Sequence, residues 1–314
     1  MEATLSTIIC GARSSEFLMS TILRQAWLRI LAAAGVQQFV ATSGLGHRFV
    51  CHIGDFLGEN PFYNREAFRA ELEVCAAWLQ PQHEPVVFDV GANVGFWSTH
   101  LAQMLANQSP AIYAFEPVPQ TFQKLLHSVE RLHLGANVNV VAAAVLDESR
   151  PVRLSYSPHD SLFAQITDGN INPRAGDRLV YAAGLTLDEF VMTLGIVPAL
   201  VKIDVEGSEV KVLRGARHLL KRTDRPALMF EYNPLTLAET GADVAAFNGL
   251  LSDYQFYYVD DFEKQQMPLG HSIASLNDIQ WVCNLFAVPS TEICAARWVT
   301  ALKVVRQRLD LSRS

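Results

Sequence analysis

The sequence predicts an α/β fold in which helices cover a mainly parallel β-sheet. From Pro85 onward, short apolar runs alternate with segments whose apolar residues recur at helical spacing, which is typical of successive βα units. The predicted strands are residues 86–90, 112–115, 138–142, 200–203 and 227–230. Two further strand-like runs, 254–259 and 281–287, are joined by a long polar loop, a kind of segment that is more often functional than idle.

We expect three parts along the chain. Residues 1–80 form an N-terminal helical and mixed extension, residues 81–290 form a single catalytic domain, and residues 291–314 contain a C-terminal helix. No internal repeat or change of composition requires a second domain.

Composition restricts the class of partner. Half of the 314 residues are hydrophobic, which is sufficient for a large core. The net charge of -7 argues against general affinity for nucleic acid or an anionic membrane, which needs a basic surface. The five cysteines are scattered without a CxxC pair, so neither a disulfide framework nor a zinc cluster is expected. These features favour a cytoplasmic protein with a small-molecule substrate.

Residues 17–40 are apolar but are interrupted by Arg24 and Arg29, so an amphipathic helix is predicted rather than a membrane span. Leu23, Trp27, Ile30 and Leu31 recur at helical spacing. We expect this stripe to pack on the protein or to face a partner, such as a second copy in a homodimer.

The first predicted strand ends in Asp89 and leads into a loop that contains Gly91, Ala92, Asn93 and Gly95. Glycines before a helix allow a tight turn and bring backbone N–H groups close to a ligand. The second strand ends in Glu116 and Pro117. A carboxylate at that position can accept hydrogen bonds from both hydroxyls of a ribose, so a nucleoside site is predicted.

The spacing of the glycines bears on the choice of nucleoside. Dinucleotide-binding loops follow G-x-G-x-x-G, but Ala92 and Asn93 follow Gly91 here, and the next glycine is Gly95. A negative charge at Asp89 would repel phosphate, whereas it suits the amino group and sulfonium of S-adenosylmethionine. The loop therefore favours S-adenosylmethionine, although by itself it is a weak motif.

Several motifs occur together in a fixed order. They are residues 88–95, 114–117, 185–190, 201–209, 213–216 and 229–232. In these motifs, and over about residues 54–289, the sequence resembles the FkbM methyltransferases. The run Lys-Ile-Asp-Val-Glu-Gly at 202–207 is the most specific part of the resemblance.

The resemblance implies a Rossmann-like class I methyltransferase fold with seven strands, the last of them antiparallel. It also implies that S-adenosylmethionine is bound by the loop from Asp89 to Gly95 and by Glu116. Glu71 is expected to reach the polar end of the cofactor, as acidic residues there do in relatives, or else to be an exposed helical residue. The sequence departs from the family at Ser128, where an asparagine is common, and over 155–178, which is longer and more polar.

Acidic residues at the ends of the later strands are the candidate catalytic groups. Asp204, Glu206 and Glu231 follow predicted strands, and ligands of open α/β sheets bind at the carboxyl ends of strands. Methyl transfer requires mainly positioning of the acceptor, and a hydroxyl acceptor also benefits from a base. Asp204 is the preferred acceptor-site residue, and Lys202 shares its strand parity. Glu206 and Glu231 assist it or, equally well, hydrogen-bond the loop backbone.

Other candidate site residues each have more than one possible role. Oxygen ligands suit magnesium, so an ion bridging Asp204, Glu231 and Asn233 is an alternative that is not favoured. His271 in the long loop, like His159, is either a base or a solvated residue. Phe96 and Trp97 are expected to pack in the core rather than to stack on adenine.

The sequence therefore predicts an S-adenosylmethionine-dependent O-methyltransferase that acts on a hydroxyl of a small metabolite, such as a sugar or a polyketide. The alternatives are a nicotinamide-dependent oxidoreductase, which would need the missing glycine spacing, and a non-catalytic interaction module, which would not need Asp89 and Glu116.

Overall fold

The computed structural model describes residues 21–158, 161, 164–167, 176–239, 244–261 and 267–311. Residues 17–20 of the predicted N-terminal helix, His159, and part of the polar segment 155–178 lie outside the described residues. In the described part of the chain, no helix combines the length and the apolarity needed to cross a membrane.

The N-terminal part contains helices and a hairpin. These elements are α1 (Thr21–Ala33), β1 (Gln38–Thr42), β2 (Arg48–His52), α2 (Phe56–Tyr63) and α3 (Arg69–Leu79). β1 and β2 pair antiparallel. Phe49 of β2 and Phe62 of α2 belong to the same core as Val87 of the main sheet. The predicted domain boundary at residue 80 remains a prediction.

Helix α1 buries a different stripe from the predicted one. Arg24, Leu28 and Leu31 are buried, and the guanidinium of Arg24 donates to the carbonyl oxygen of Phe62 at 3.2 Å. Leu23 and Ile30 remain 56% and 58% exposed. Leu31 is therefore the only member of the predicted stripe that is buried, and the homodimer through this helix remains a prediction.

The main sheet begins with alternating strands and helices. These are β3 (Val86–Val90), α4 (Phe96–Met104), β4 (Ala111–Phe115), α5 (Pro119–Arg131) and β5 (Val138–Val141). The three strands are parallel neighbours. β3 and β4 are short, largely buried apolar runs, as the sequence pattern predicted, whereas β5 at the edge of the sheet is partly exposed.

An accessory sheet follows β5. Its strands are β6 (Ala144–Val145), β7 (Pro151–Tyr156), β8 (Ala164–Ile166) and β9 (Arg178–Leu185), in the spatial order β6-β9-β7-β8. The sequence indicated only that residues 155–178 were long and polar. The hydrophobic pattern of the sequence did not predict these strands, because no side chain of β9 is fully buried and because β9 pairs with β7 across the intervening segment.

The chain then returns to the main sheet. The remaining elements are α6 (Leu187–Leu194), β10 (Leu200–Ile203), α7 (Glu209–Arg214), β11 (Ala227–Tyr232), α8 (Pro234–Glu239), α9 (Val244–Leu250), β12 (Tyr254–Asp261), β13 (Ser272–Ile273), β14 (Cys283–Pro289) and α10 (Glu292–Leu311). Strand β14 is antiparallel to both β11 and β12.

The order of strands in the main sheet is β13-β12-β14-β11-β10-β3-β4-β5. The predicted mainly parallel sheet with its last strand antiparallel is therefore confirmed. Within the described residues the sheet has eight strands instead of seven, because the two-residue β13 extends its edge. The chain order reverses between β3 and β10, and this switch point is where ligands bind in open α/β sheets.

The ends of β3 and β10 touch at Gly91. Gly91 has a φ of +83°, and a Cβ atom at this residue would lie 1.9 Å from the carbonyl oxygen of Asp204. The backbone N–H of Asp204 donates to the carbonyl oxygen of Val90 at 3.0 Å. Only glycine therefore allows the two strand ends to approach so closely.

We expect Gly91→Ala to destabilise the protein far more than Gly35→Ala. Gly35 has a similar φ of +79° but nothing within 4 Å of its Cβ position, so both changes carry the backbone cost of about 1–2 kcal/mol. Only Gly91→Ala adds a backbone clash of roughly 1–3 kcal/mol, and each kcal/mol lowers Tm by about 2–4 °C. Equal unfolding temperatures for the two variants would contradict the close approach.

Candidate functional site

A cavity lies at the switch point of the sheet. The space between its walls, counted together with the solvent at its open mouth, is about 670 Å³. The predicted site residues that line it are Gly91, Asn93, Glu116, Pro117, Asp204 and Glu206. The structure thus brings together the glycine loop, the end of β4 and the end of β10.

Glu116 is held at the cavity wall by backbone N–H groups. Its two carboxylate oxygens accept from Val118 N at 2.8 Å and from Asn93 N at 3.1 Å. Burial raises the pKa of Glu116 to about 7, against the opposing effect of these hydrogen bonds. A carboxylate has about four acceptor positions, so Glu116 keeps capacity for a ligand such as a ribose.

Asn93 shapes the loop through both ends of its side chain. Its φ of 51° is left-handed, and its Oδ1 accepts from Val94 N at 2.8 Å. Its Nδ2 donates to the carbonyl oxygen of Ser161 at 2.9 Å. A hydrogen bond therefore connects the glycine loop to the segment between β7 and β8.

Asp89 lies beneath the loop and does not line the cavity. It is fully buried, and its Oδ2 accepts from the Ser98 hydroxyl at 2.6 Å. Burial raises its pKa, while Lys202 and Ser98 oppose the rise. Ala92 and Gly95 also lie outside the cavity wall. Direct cofactor contacts of these three residues remain predictions.

Lys202 joins the acids of the two central strands. Its Nζ donates to Asp204 Oδ2 at 3.1 Å and forms an ion pair with Asp89 Oδ1 at 3.4 Å. Burial alone would lower the pKa of Lys202, but Asp204 and Asp89 outweigh it and raise the pKa above its ordinary value. The shared parity of Lys202 and Asp204 correctly predicted that they face the same side.

Glu231 and Glu206 differ in their surroundings. Burial raises the pKa of Glu231 to about 9, and the neighbouring carboxylates of Asp204 and Glu206 add to the rise. Glu206 lines the cavity on a left-handed backbone with a φ of 51°. These effects favour the protonated form of Glu231, which does not line the cavity.

Glu71 is buried, so the exposed-helix alternative is wrong. Its Oε1 accepts from Asn284 Nδ2 of β14 at 2.7 Å. Burial raises its pKa to about 8 against the opposing charge of Lys202. Glu71 therefore belongs to the same group of interacting charges as Lys202 and Asp204, and its contact with a cofactor remains a prediction.

Glu209 is a site residue that the motif contained but that was not assigned a role. Its Oε1 accepts from Val205 N at 3.2 Å and from Gly207 N at 3.1 Å. Burial raises its pKa to about 7. Glu209 therefore fixes the loop that carries Glu206. Its role could have been inferred from the sequence, because an acidic residue at the start of a helix interacts favourably with the free backbone N–H groups there.

Several other candidates lie away from the cavity. His271 is exposed, and Phe96 and Trp97 are buried in the core, as expected. Ser128 is buried and lies 3.1 Å from His52 Nε2. Neither the described histidines nor Ser128 line the cavity.

The magnesium alternative concerns Asp204, Glu231 and Asn233, and it remains a prediction that is not favoured. Among the described residues, no three His, Cys, Asp or Glu side chains converge in a way that could hold a metal. Asn233 Oδ1 instead accepts from Leu235 N and Thr236 N at the start of α8, at 3.1 and 3.3 Å. A metal requirement remains untested.

A mixed α/β sheet with a glycine loop, a strand-end carboxylate and a cavity at its switch point defines a nucleoside-dependent enzyme class. The model of the methyltransferase FkbM domain matches residues 89–258, over half of the chain. The chain therefore belongs to the FkbM methyltransferase family.

Two curated relatives and one solved structure are similar to the chain. The hexuronic acid methyltransferase AglP of Haloferax volcanii is 28% identical, over 49% of this chain and 59% of its own length. The 31-O-demethyl-FK506 methyltransferase FkbM of Streptomyces tacrolimicus is 28% identical, over 53% of this chain and 71% of its own. The crystal structure of methyltransferase FkbM from Methylobacillus flagellatus is 19% identical, over 65% of this chain and 43% of its own, with a TM-score of 0.40. The chain thus covers less than two thirds of the Haloferax and Methylobacillus proteins.

We expect Glu231→Gln to stabilise the protein increasingly as pH rises from 5 to 9. The pKa of Glu231 is raised from 4.5 to about 9 in the folded state, so the folded protein binds more protons over this interval and loses stability as pH rises. The glutamine variant lacks this loss. Its Tm should exceed the wild-type Tm by a margin that grows with pH.

Glu130→Gln is the control for this measurement, because Glu130 is an exposed helical residue. Its Tm difference from wild type should be nearly constant over the same pH interval. A constant difference for Glu231→Gln as well would show that Glu231 is ionised in the folded protein at neutral pH.

Proposed function

We propose that the chain is an S-adenosylmethionine-dependent O-methyltransferase that methylates a hydroxyl of a small metabolite, such as a sugar, a polyketide or another secondary metabolite. The observation that carries the proposal is the position of Glu116 and the glycine loop on the wall of one cavity at the switch point. The name of the Streptomyces relative specifies an O-demethylated substrate, which supports oxygen as the acceptor atom.

The charges around the cavity fit a cationic cofactor. Glu116, Asp204 and Glu206 line it, and none of the described lining residues is Lys, Arg or His. Carboxylates attract a sulfonium group and repel a pyrophosphate. This arrangement favours S-adenosylmethionine and disfavours the nicotinamide alternative.

The cofactor supplies an electrophilic methyl group when it is bound, so the protein has to bind the acceptor and manage one proton. The side chain of Asp204 is 35% exposed and is held by Lys202 at 3.1 Å. Its carboxylate can accept the proton that an acceptor hydroxyl loses when that hydroxyl is methylated. Glu231 lies outside the cavity wall, but its raised pKa favours the protonated form, in which it can assist by donating a hydrogen bond.

Calorimetry with S-adenosylmethionine, S-adenosylhomocysteine and NADH tests the cofactor. We expect the first two to bind and NADH not to bind. Binding of NADH without S-adenosylmethionine would overturn the proposal. Binding of neither cofactor would favour the non-catalytic alternative.

The acceptor can be identified by incubating the protein with a metabolite extract and methyl-labelled S-adenosylmethionine, followed by mass spectrometry. A labelled product in which the methyl group survives alkaline hydrolysis is expected for an ether formed on a hydroxyl. Alkali-labile label would instead indicate a methyl ester and would contradict the hydroxyl acceptor.

We expect Asp204→Asn to lower kcat by roughly 10²–10⁴-fold, the usual contribution of a general base. The affinity for S-adenosylhomocysteine should stay close to that of wild type, because the amide occupies nearly the same space. Asp253→Asn is the matched control, since Asp253 is exposed and precedes the amino end of β12. Unchanged turnover of Asp204→Asn, measured with the acceptor found above, would refute the role of Asp204.

A further inference from the structure

The accessory sheet contributes apolar side chains to the cavity. Val145 of β6, Leu154 of β7, and Ala164 and Ile166 of β8 line it, together with Ala143, which directly precedes β6. Leu154 and Ile166 are directly opposite each other in the antiparallel pair. Since side chains alternate along a strand, Ala164 and Ile166 share a face and Gln165 points to the other one.

Hydrogen bonds hold this sheet against the glycine loop. The carbonyl oxygen of Ser161 accepts from Asn93 Nδ2 at 2.9 Å, and the Ser161 hydroxyl donates to Asp55 Oδ1 at 2.7 Å. Gln120 Nε2 of α5 donates to the carbonyl oxygen of Pro158 at 3.1 Å. Three separate parts of the chain therefore fix the position of the accessory sheet over the cavity.

The order of the strands separates two kinds of surface. Glu116 follows β4, and the apolar residues Ala143 and Val145 follow β5, on one side of the switch point. Asp204 and Glu231 belong to the ends of β10 and β11, on the other side. An apolar surface next to a ribose-binding carboxylate suits the faces of a planar base, whereas an acceptor hydroxyl suits the acidic side.

We infer that the accessory sheet forms part of the adenine-binding wall of the cofactor site, through Leu154, Ala164 and Ile166. The inference rests on the proposed function, because it assigns the nucleobase of S-adenosylmethionine to this wall. It follows that the accessory sheet determines the affinity for the cofactor rather than the choice of acceptor.

Titration calorimetry with S-adenosylhomocysteine and with adenosine tests the inference without any acceptor. Ile166→Ala removes apolar contact with the base and should lower the affinity for both ligands by the same factor, roughly tenfold. Ala164→Leu fills the space of the base and should lower the affinity for both ligands by at least the same factor. Gln165→Ala, on the opposite face of the same strand, should bind both within about twofold of wild type.

The outcomes separate the two proposals. Unchanged binding by both Ile166→Ala and Ala164→Leu, with normal wild-type binding, would overturn the adenine wall and leave the proposed function standing. Failure of the wild-type protein to bind S-adenosylhomocysteine would overturn the proposed function and the wall with it. An equal loss of affinity in Ile166→Ala and Gln165→Ala would indicate that the accessory sheet as a whole is disturbed. That result would also overturn the specific role of Ile166. Thermal unfolding of each variant confirms that the folded protein is compared.

Discussion

The side chain of Lys202 occupies the centre of the sheet, between the acids that end its two middle strands. The register of β10 against β3 places Lys202 beside Asp89, and Trp97 covers its ammonium, with the ring centroid 5.8 Å away. A buried ammonium is tolerated only when paired carboxylates offset the loss of water. Removing Lys202 would leave the buried carboxylate of Asp89 without a cation, whereas removing Asp204 would still leave the pair of Lys202 and Asp89.

The ion pairs of Lys202 also affect the pKa of the neighbouring carboxyl group of Glu71. The charge of Lys202 already interacts most closely with Asp89 and Asp204, so it offsets the burial of Glu71 only in part. Glu71 therefore keeps a raised pKa of about 8, while burial and the neighbouring carboxylates of Asp204 and Glu206 raise the pKa of Glu231. Raised pKa values favour the protonated forms of Glu71 and Glu231, whereas Asp204 is paired with Lys202. Of these three residues, only Asp204 lines the cavity.

Local patterns made much of the fold predictable, and long-range pairing concealed the rest. The strands of the main sheet are short apolar runs followed by helical periodicity, and the predicted β3 and β10 match the observed ones. The positions of Asp89, Glu116 and Asp204 follow directly from those strands. The burial of Glu71 depends on Asn284, 213 residues later in the chain, and no local pattern reports such a contact. The accessory sheet was missed for the same reason, since Pro151 pairs with Ala183.

The topology assigns the two halves of the site to different segments of the chain. The side with Glu116 is built from β4, β5 and the accessory sheet, which hydrogen bonds from Ser161 connect to Asn93 and Asp55. The acidic side is built from the ends of β10, β11 and β14 and from α3, which provides Glu71. The two sides meet at the backbone contact between Gly91 and Asp204 and at the ion pairs of Lys202. Side chains on the acidic side can therefore change without disturbing the apolar wall, provided that the Gly91 contact and the Lys202 ion pairs remain. Under the proposed function, this separation keeps the wall that binds the cofactor apart from the surface that binds the acceptor.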